Sequence, residues 1–122
     1  DALSVMRSSQ ALVIPSLRGE PFPRTGVEAF STGTPVFGAN SGGISELFEH
    51  GLGGALFPAG DDLELSNLIA RLFADPAWAS QLHNEARQLF QTKFSPSAVL
   101  RRTESIYEAA QRTFRGGLQA RL

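Results

Sequence analysis

The sequence predicts an α/β fold: a small parallel sheet of about three strands with its connecting helices, followed by a C-terminal run of three more helices. Two observations carry this. Up to residue 60, three short apolar runs bounded by Pro and Gly alternate with helical stretches, the β-α-β-α-β order of a parallel sheet. Beyond residue 60 the apolar spacing becomes helical and stays so. A chain of 122 residues buries roughly 65% of its unfolded surface, enough for one hydrophobic core and too little for two. One domain is the ceiling.

The run ALVIP at 11–15 is short, apolar and ended by a proline, so it reads as a buried strand. A loop rich in Pro and Gly follows. It leads into a helix of about ten residues, from Thr25 through Ser31 and a little beyond, which Gly33 stops. PVFGA at 35–39 is the second strand, and Gly42-Gly43 precedes a short helix from Ile44 to His50 closed by Gly51. GALFP at 54–58, between Gly53 and Pro58-Ala59-Gly60, is the third strand. Asp61 then caps a helix in which Leu65, Leu68, Ile69, Leu72 and Phe73 recur at i, i+3, i+4, i+7 and i+8. Asp75-Pro76 opens the next, with Trp78, Leu82, Leu89 and Phe90 on its buried face. Ser95-Pro96 opens the last, with Val99, Leu100, Ile106, Tyr107 and Ala110 as a third stripe. Trp78 and Tyr107 read as core or core-edge aromatics with a polar tip. The domain is expected to span 1–114, and the stripeless tail 115–122 to fray.

Composition excludes several functions. Eleven Lys+Arg against 12 Asp+Glu, a net charge of −1 and a pI near 6.1 argue against nucleic acid as a partner, which needs a basic field. No apolar run approaches the ~20 residues that span a bilayer. No charged start followed by an apolar stretch marks a secretory signal, so a cytoplasmic location is expected. The last thirty residues carry six Lys/Arg, beginning at Lys93, against Glu104 and Glu108, a net +4. That is either a solvated face or a weak contact with a membrane surface or partner. With no cysteine, disulfides, thiolate metal sites and cysteine nucleophiles are excluded together. His50 and His83 lie far apart, so a metal site would need mostly carboxylates, and none is expected. His50 reads as a cation at a helix end and His83 as a residue near a helix's polar face.

The loop Ser16 to Arg24 is the most unusual stretch. It follows a strand of a parallel sheet and precedes a helix, the place where ligands bind in open α/β sheets. The amides of Arg24, Thr25 and Gly26 fall in the helix's first turn, lack intrahelical partners and can receive an anion. Glu20 before the helix and Glu28 one turn inside it can face the same crevice, and a carboxylate accepts from vicinal hydroxyls in a bidentate way. Amides for an anion between two hydroxyl-binding carboxylates describe a sugar-nucleotide site. The plainer reading is a solvated loop glutamate and a second one serving the helix dipole. Gly42-Gly43 either presents more free amides to the same edge or makes a tight turn needing positive φ.

Pro15-Ser16 after a strand, Glu20 and Glu28 seven residues apart, Gly33-Thr34-Pro35-Val36, Gly42-Gly43 with Glu46, and Gly51 with Phe57-Pro58 and Asp61 occur in that order. This resembles the second half of the C-terminal, donor-binding domain of the GT-B retaining glycosyltransferases of family 4, over residues 1 to about 110. The resemblance implies a partial Rossmann-like sheet, the fourth to sixth strands of a 3-2-1-4-5-6 order. It implies a nucleotide diphosphate sugar as substrate, no required metal and no further cofactor. Glu20 matches the glutamate that faces the transferred sugar, and Glu28 the one that holds the nucleotide ribose. Phe22 matches the aromatic after the first glutamate, and Arg24 and Thr25 the amides near the diphosphate. Pro23 departs from the pattern, since a glycine is commoner there and a proline has no amide to offer.

The resemblance also implies an N-terminal acceptor domain and a diphosphate-neutralising basic pair, and neither lies in these residues. Arg18 and Arg24 are the only cations near the site. The chain opens on Asp1 without a methionine, which fits a processed chain or fragment. As a fragment it is expected to self-associate, since its first strand would lack a neighbour. The rival is a non-catalytic nucleotide-sugar-binding module, or a half-domain acting with a partner chain.

Overall fold

The computed structural model describes residues 1–119 and shows a three-stranded sheet flanked by helices. In order the elements are α1 (Ala2–Ser8), β1 (Leu12–Ile14), α2 (Arg24–Ser31), β2 (Val36–Asn40), a 3-10 turn (Gly43–Leu47), β3 (Gly54–Pro58), α3 (Asp62–Ala74), α4 (Pro76–Leu89), a π-helical turn (Phe90–Phe94) and α5 (Pro96–Gln119). The strands run parallel in the order β1-β2-β3. Leu12 pairs with Val36, and Val36 in turn with Gly54.

The central strand explains why its sequence does not alternate. Val36 and Phe37 point to opposite faces, and both are fully buried because helices cover each side. On one face Ile14, Phe30, Val36, Ile44, Leu47 and Leu89 form a core beneath α2 and α4. On the other, Phe37, Ala39, Phe57, Leu72 and Leu82 pack under α3 and α4. Trp78 stacks on Phe37 at 6.1 Å, and the Arg71 guanidinium lies 4.1 Å over the indole, so Trp78 is the core-edge aromatic expected. Asp61 and Asp75 cap α3 and α4 by accepting from the amides of Glu64 and Trp78.

The structure adds to and corrects these expectations. Residues 2–8 form a helix that the sequence reading did not anticipate: Asp1 caps it by accepting from the Ser4 amide at 2.9 Å, and the buried Thr34 hydroxyl donates to the Met6 carbonyl at 2.7 Å. The segment after Gly43 is one 3-10 turn ending at Leu47, not a helix to His50. Phe48 returns to extended backbone and His50 sits at φ 53°, so His50 is a turn residue. His83 is tied to structure as well, its Nδ1 lying 2.7 Å from the Gly33 carbonyl. Phe73 is 70% exposed and lies outside the core.

The largest difference concerns α5. Ala98 is buried, but Val99, Leu100, Ile106 and Tyr107 are exposed, Tyr107 at 68%. Every residue from Val99 to Gly116 is exposed, and neither core cluster includes the helix's apolar stripe. Its backbone stays helical from Arg115 through Gln119 where fraying was expected, and residues 120–122 fall outside the described residues.

These differences in burial set stabilities. In urea denaturation of the 122-residue chain, Leu89→Ala is expected to cost about 2–5 kcal/mol. Ile106→Ser, on the exposed stripe, is expected to cost less than about 0.5 kcal/mol. Equal losses would show that α5 is packed.

Candidate functional site

Because the strands are parallel, the loops after β1 and β2 emerge at the same edge of the sheet. There they join. Glu20 and Gly42 pair in an isolated parallel bridge, and the Gly43 amide donates to the Glu20 carbonyl at 2.7 Å. The approach leaves no room for side chains. A Cβ on Gly42 would lie 2.5 Å from the Glu20 carbonyl oxygen, and one on Gly43 would overlap the Pro21 carbonyl. Gly42 also sits at φ 56°. Of the two readings of the glycine pair, the structure realises the tight turn, and the expectation of a free Gly43 amide is corrected.

Gly26 is corrected in the same sense. Its amide donates to the Pro23 carbonyl at 3.0 Å, and a Cβ there would overlap the Leu47 side chain. It is the buried contact between α2 and the 3-10 turn. Pro23, also fully buried, is the residue before α2 and supplies that carbonyl. The first two helical residues, Arg24 and Thr25, are exposed, and their amides form the open end of α2.

Glu28 is half-buried one turn beyond Arg24 and on its side of the helix. Glu20 is half-buried too, and its Oε2 accepts from the Ser16 hydroxyl at 2.9 Å, a contact the sequence reading missed. Phe22 turns its ring toward the π-helical turn, 6.1 Å from Phe94, which stacks in turn on Phe30 at 6.2 Å. It anchors the loop to the core. Lys93 donates to the Glu46 carbonyl at 2.8 Å, and both line a cleft of about 400 Å3 with Phe22 and Arg102. Spacing alone could not announce that cleft, because α5 and the 3-10 turn meet only through the fold.

Arg18 and Arg24 are exposed, and the one ion pair among the described residues is Arg112 with Glu108, at 3.9 Å on α5. No three His, Asp or Glu among the described residues gather as a metal-binding group. The edge therefore offers open amides for an anion, with a carboxylate before them and another one turn after. Such a surface suits a ligand whose phosphate lies between hydroxyl-bearing groups.

A family described as glycosyl transferases group 1 matches residues 1–89. The chain belongs to that family. It is 31% identical over 112 residues to a glycogen synthase of Mycobacterium tuberculosis, covering 92% of this chain and 27% of that protein. Among solved structures it resembles the Anabaena protein Alr3699/HepE in complex with UDP, with a TM-score of 0.77 and 28% identity over 86% of this chain and 29% of that one. It also resembles a sucrose-phosphate synthase of Thermosynechococcus elongatus, with a TM-score of 0.74 and 33% identity over 91% and 28%. These neighbours are GT-B glycosyltransferases, so the α/β class read from the sequence holds. The chain spans little more than a quarter of the length of these proteins. No helix among the described residues is long and apolar enough to cross a membrane.

The junction is expected to reject side chains. Gly43→Ala, forced against the Pro21 carbonyl, is expected to cost about 3 kcal/mol. Gly51→Ala keeps a positive φ but has nothing within 4 Å of the added carbon, so about 1 kcal/mol is expected. Thermal melts that rank the two alike would contradict this geometry.

Proposed function

We propose that this chain supplies the donor-binding side of a retaining, family 4 glycosyltransferase that moves a hexose from a nucleotide diphosphate to an acceptor. The observation that supports it most is the fastening of Glu20 to the Gly42-Gly43 turn beside the open end of α2, with Glu28 one turn inside. The UDP and UDP-glucose in the complexes of the Anabaena neighbour support a nucleoside diphosphate sugar as ligand.

In this reading the amides of Arg24 and Thr25 receive the diphosphate, Glu28 accepts from the ribose hydroxyls, and Glu20 faces the transferred sugar. Phe22 holds the loop against the core. Gly26, Gly42 and Gly43 contribute by letting backbones approach, which puts the two carboxylates on one edge. The bond from the anomeric carbon to the diphosphate oxygen breaks, the acceptor hydroxyl oxygen bonds on the same face of the sugar, and its proton passes to the departing diphosphate. The leaving diphosphate is stabilised by preorganised donors, with no required metal. The basic pair and the acceptor domain belong to parts of the protein beyond these residues. The reading includes a cytoplasmic location, with the basic C-terminal stretch touching an anionic surface weakly.

In the full-length protein, Glu28→Ala is expected to weaken donor binding about 10- to 150-fold, the loss of hydrogen bonds to a charged group. Glu20→Ala is expected to lower kcat far more than donor affinity. Calorimetry and steady-state rates check both, and equal, small effects would sink the assignment.

The 122-residue chain alone is expected to bind nucleoside diphosphates weakly, to transfer no sugar and to self-associate. β1 pairs on one side only, and apolar grooves flank it, one lined by Val5, Met6 and Leu12 and the other by Val13, Ile69 and Phe73. Light scattering at several concentrations, with a nucleotide titration, reads this. A clean monomer with micromolar affinity would contradict it.

A further inference from the structure

We infer that Ser16 is a positioning residue for the Glu20 carboxylate, an inference that rests on the role proposed for Glu20. The Ser16 hydroxyl donates to Glu20 Oε2 at 2.9 Å. Elsewhere among the described residues, side-chain hydroxyls that donate with an assigned direction give their hydrogen to backbone carbonyls. Ser8, Ser31, Thr34, Thr92 and Ser105 all do so. Ser16 alone donates to a carboxylate. No cation among the described residues pairs with Glu20 either, so this hydroxyl is what orients it.

Both ends of the bond stand on fixed backbone. Ser16 is two residues past Ile14, whose register is set by its pairing with Gly38. Glu20 is held by its bridge to Gly42 and by the Gly43 amide. A donor and acceptor already placed by the sheet lose little freedom on bonding, so the contact restricts the carboxylate instead of ordering the loop. A hydroxyl has one hydrogen to give, and it is given to Oε2, while Oε1 takes no hydrogen bond from it. Holding the carboxylate within a narrow range of directions raises the fraction of bound donor met in a productive geometry. It adds nothing to the binding of nucleotide at Arg24, Thr25 and Glu28. The signature is therefore a change in turnover without a change in affinity.

The test is a double-mutant cycle in the full-length protein, with donor Kd and kcat measured for each variant. Ser16→Ala is expected to lower kcat about ten-fold, the worth of one hydrogen bond to a charged group, and to change donor Kd less than about two-fold. Ser16→Thr, which keeps the hydroxyl, is expected to return kcat to within about three-fold of the parent. In a Glu20→Gln background, Ser16→Ala is expected to lower the residual rate no further, because the group it serves is gone. An undiminished loss in that background, a parallel weakening of Kd, or failure of threonine to rescue would overturn the inference while leaving Glu20's role standing. Parental turnover in Glu20→Gln itself would overturn both.

Discussion

Everything at the carboxyl edge of the sheet depends on one close approach of two backbones, that of Glu20 and Pro21 to Gly42 and Gly43. A single peptide hydrogen bond contributes only about 1 kcal/mol net, so the bond from the Gly43 amide to the Glu20 carbonyl matters chiefly for position. It joins a loop that leaves β1 to a turn that leaves β2. The distance between those loops is then set by strand pairing, which is rigid, instead of by loop conformation, which is not. A Cβ at either glycine would push them apart. The two readings of the glycine pair resolve into a packing requirement, with the Gly43 amide given to the Glu20 carbonyl.

A second set of contacts holds the same loop from its other end. Phe22 meets Phe94, Phe94 stacks on Phe30, and Phe30 lies fully buried in the core under α2. Lys93, one residue before Phe94, reaches the Glu46 carbonyl of the 3-10 turn. The π-helical turn therefore touches both loops of the candidate site and the start of α5. Such turns recur at functional positions because the extra residue re-aims side chains that a regular helix would send elsewhere.

Much of the fold was legible because its signals are local. Short apolar runs cut by Pro and Gly marked the three strands, β3 to the residue, and the Asp caps and the Ser-Pro start marked α3 to α5. The misses have physical causes. Helix α1 exposes all its residues except Met6 to some degree beyond the core, so no stripe announces it, and it is docked by the long-range bond from Thr34. The α5 stripe was real as a pattern, but periodicity tells that a face is apolar and not what covers it. At the site, Glu20, Glu28 and the open end of α2 could be read from spacing. The loss of the Gly26 and Gly43 amides to Pro23 and Glu20 could not, since both bonds arise from how loops close. Ser16 lay four residues from Glu20, yet loop residues at that spacing meet only if the loop folds back.

A crystal structure of the full-length protein with a nucleoside diphosphate sugar tests the central claim most directly. The account predicts the diphosphate at about 3 Å from the Arg24 and Thr25 amides. The ribose lies on Glu28 and the sugar against a Glu20 whose other oxygen still accepts from Ser16. A donor seated instead in the cleft between Phe48 and Arg102, with α2's first turn bare, would contradict it.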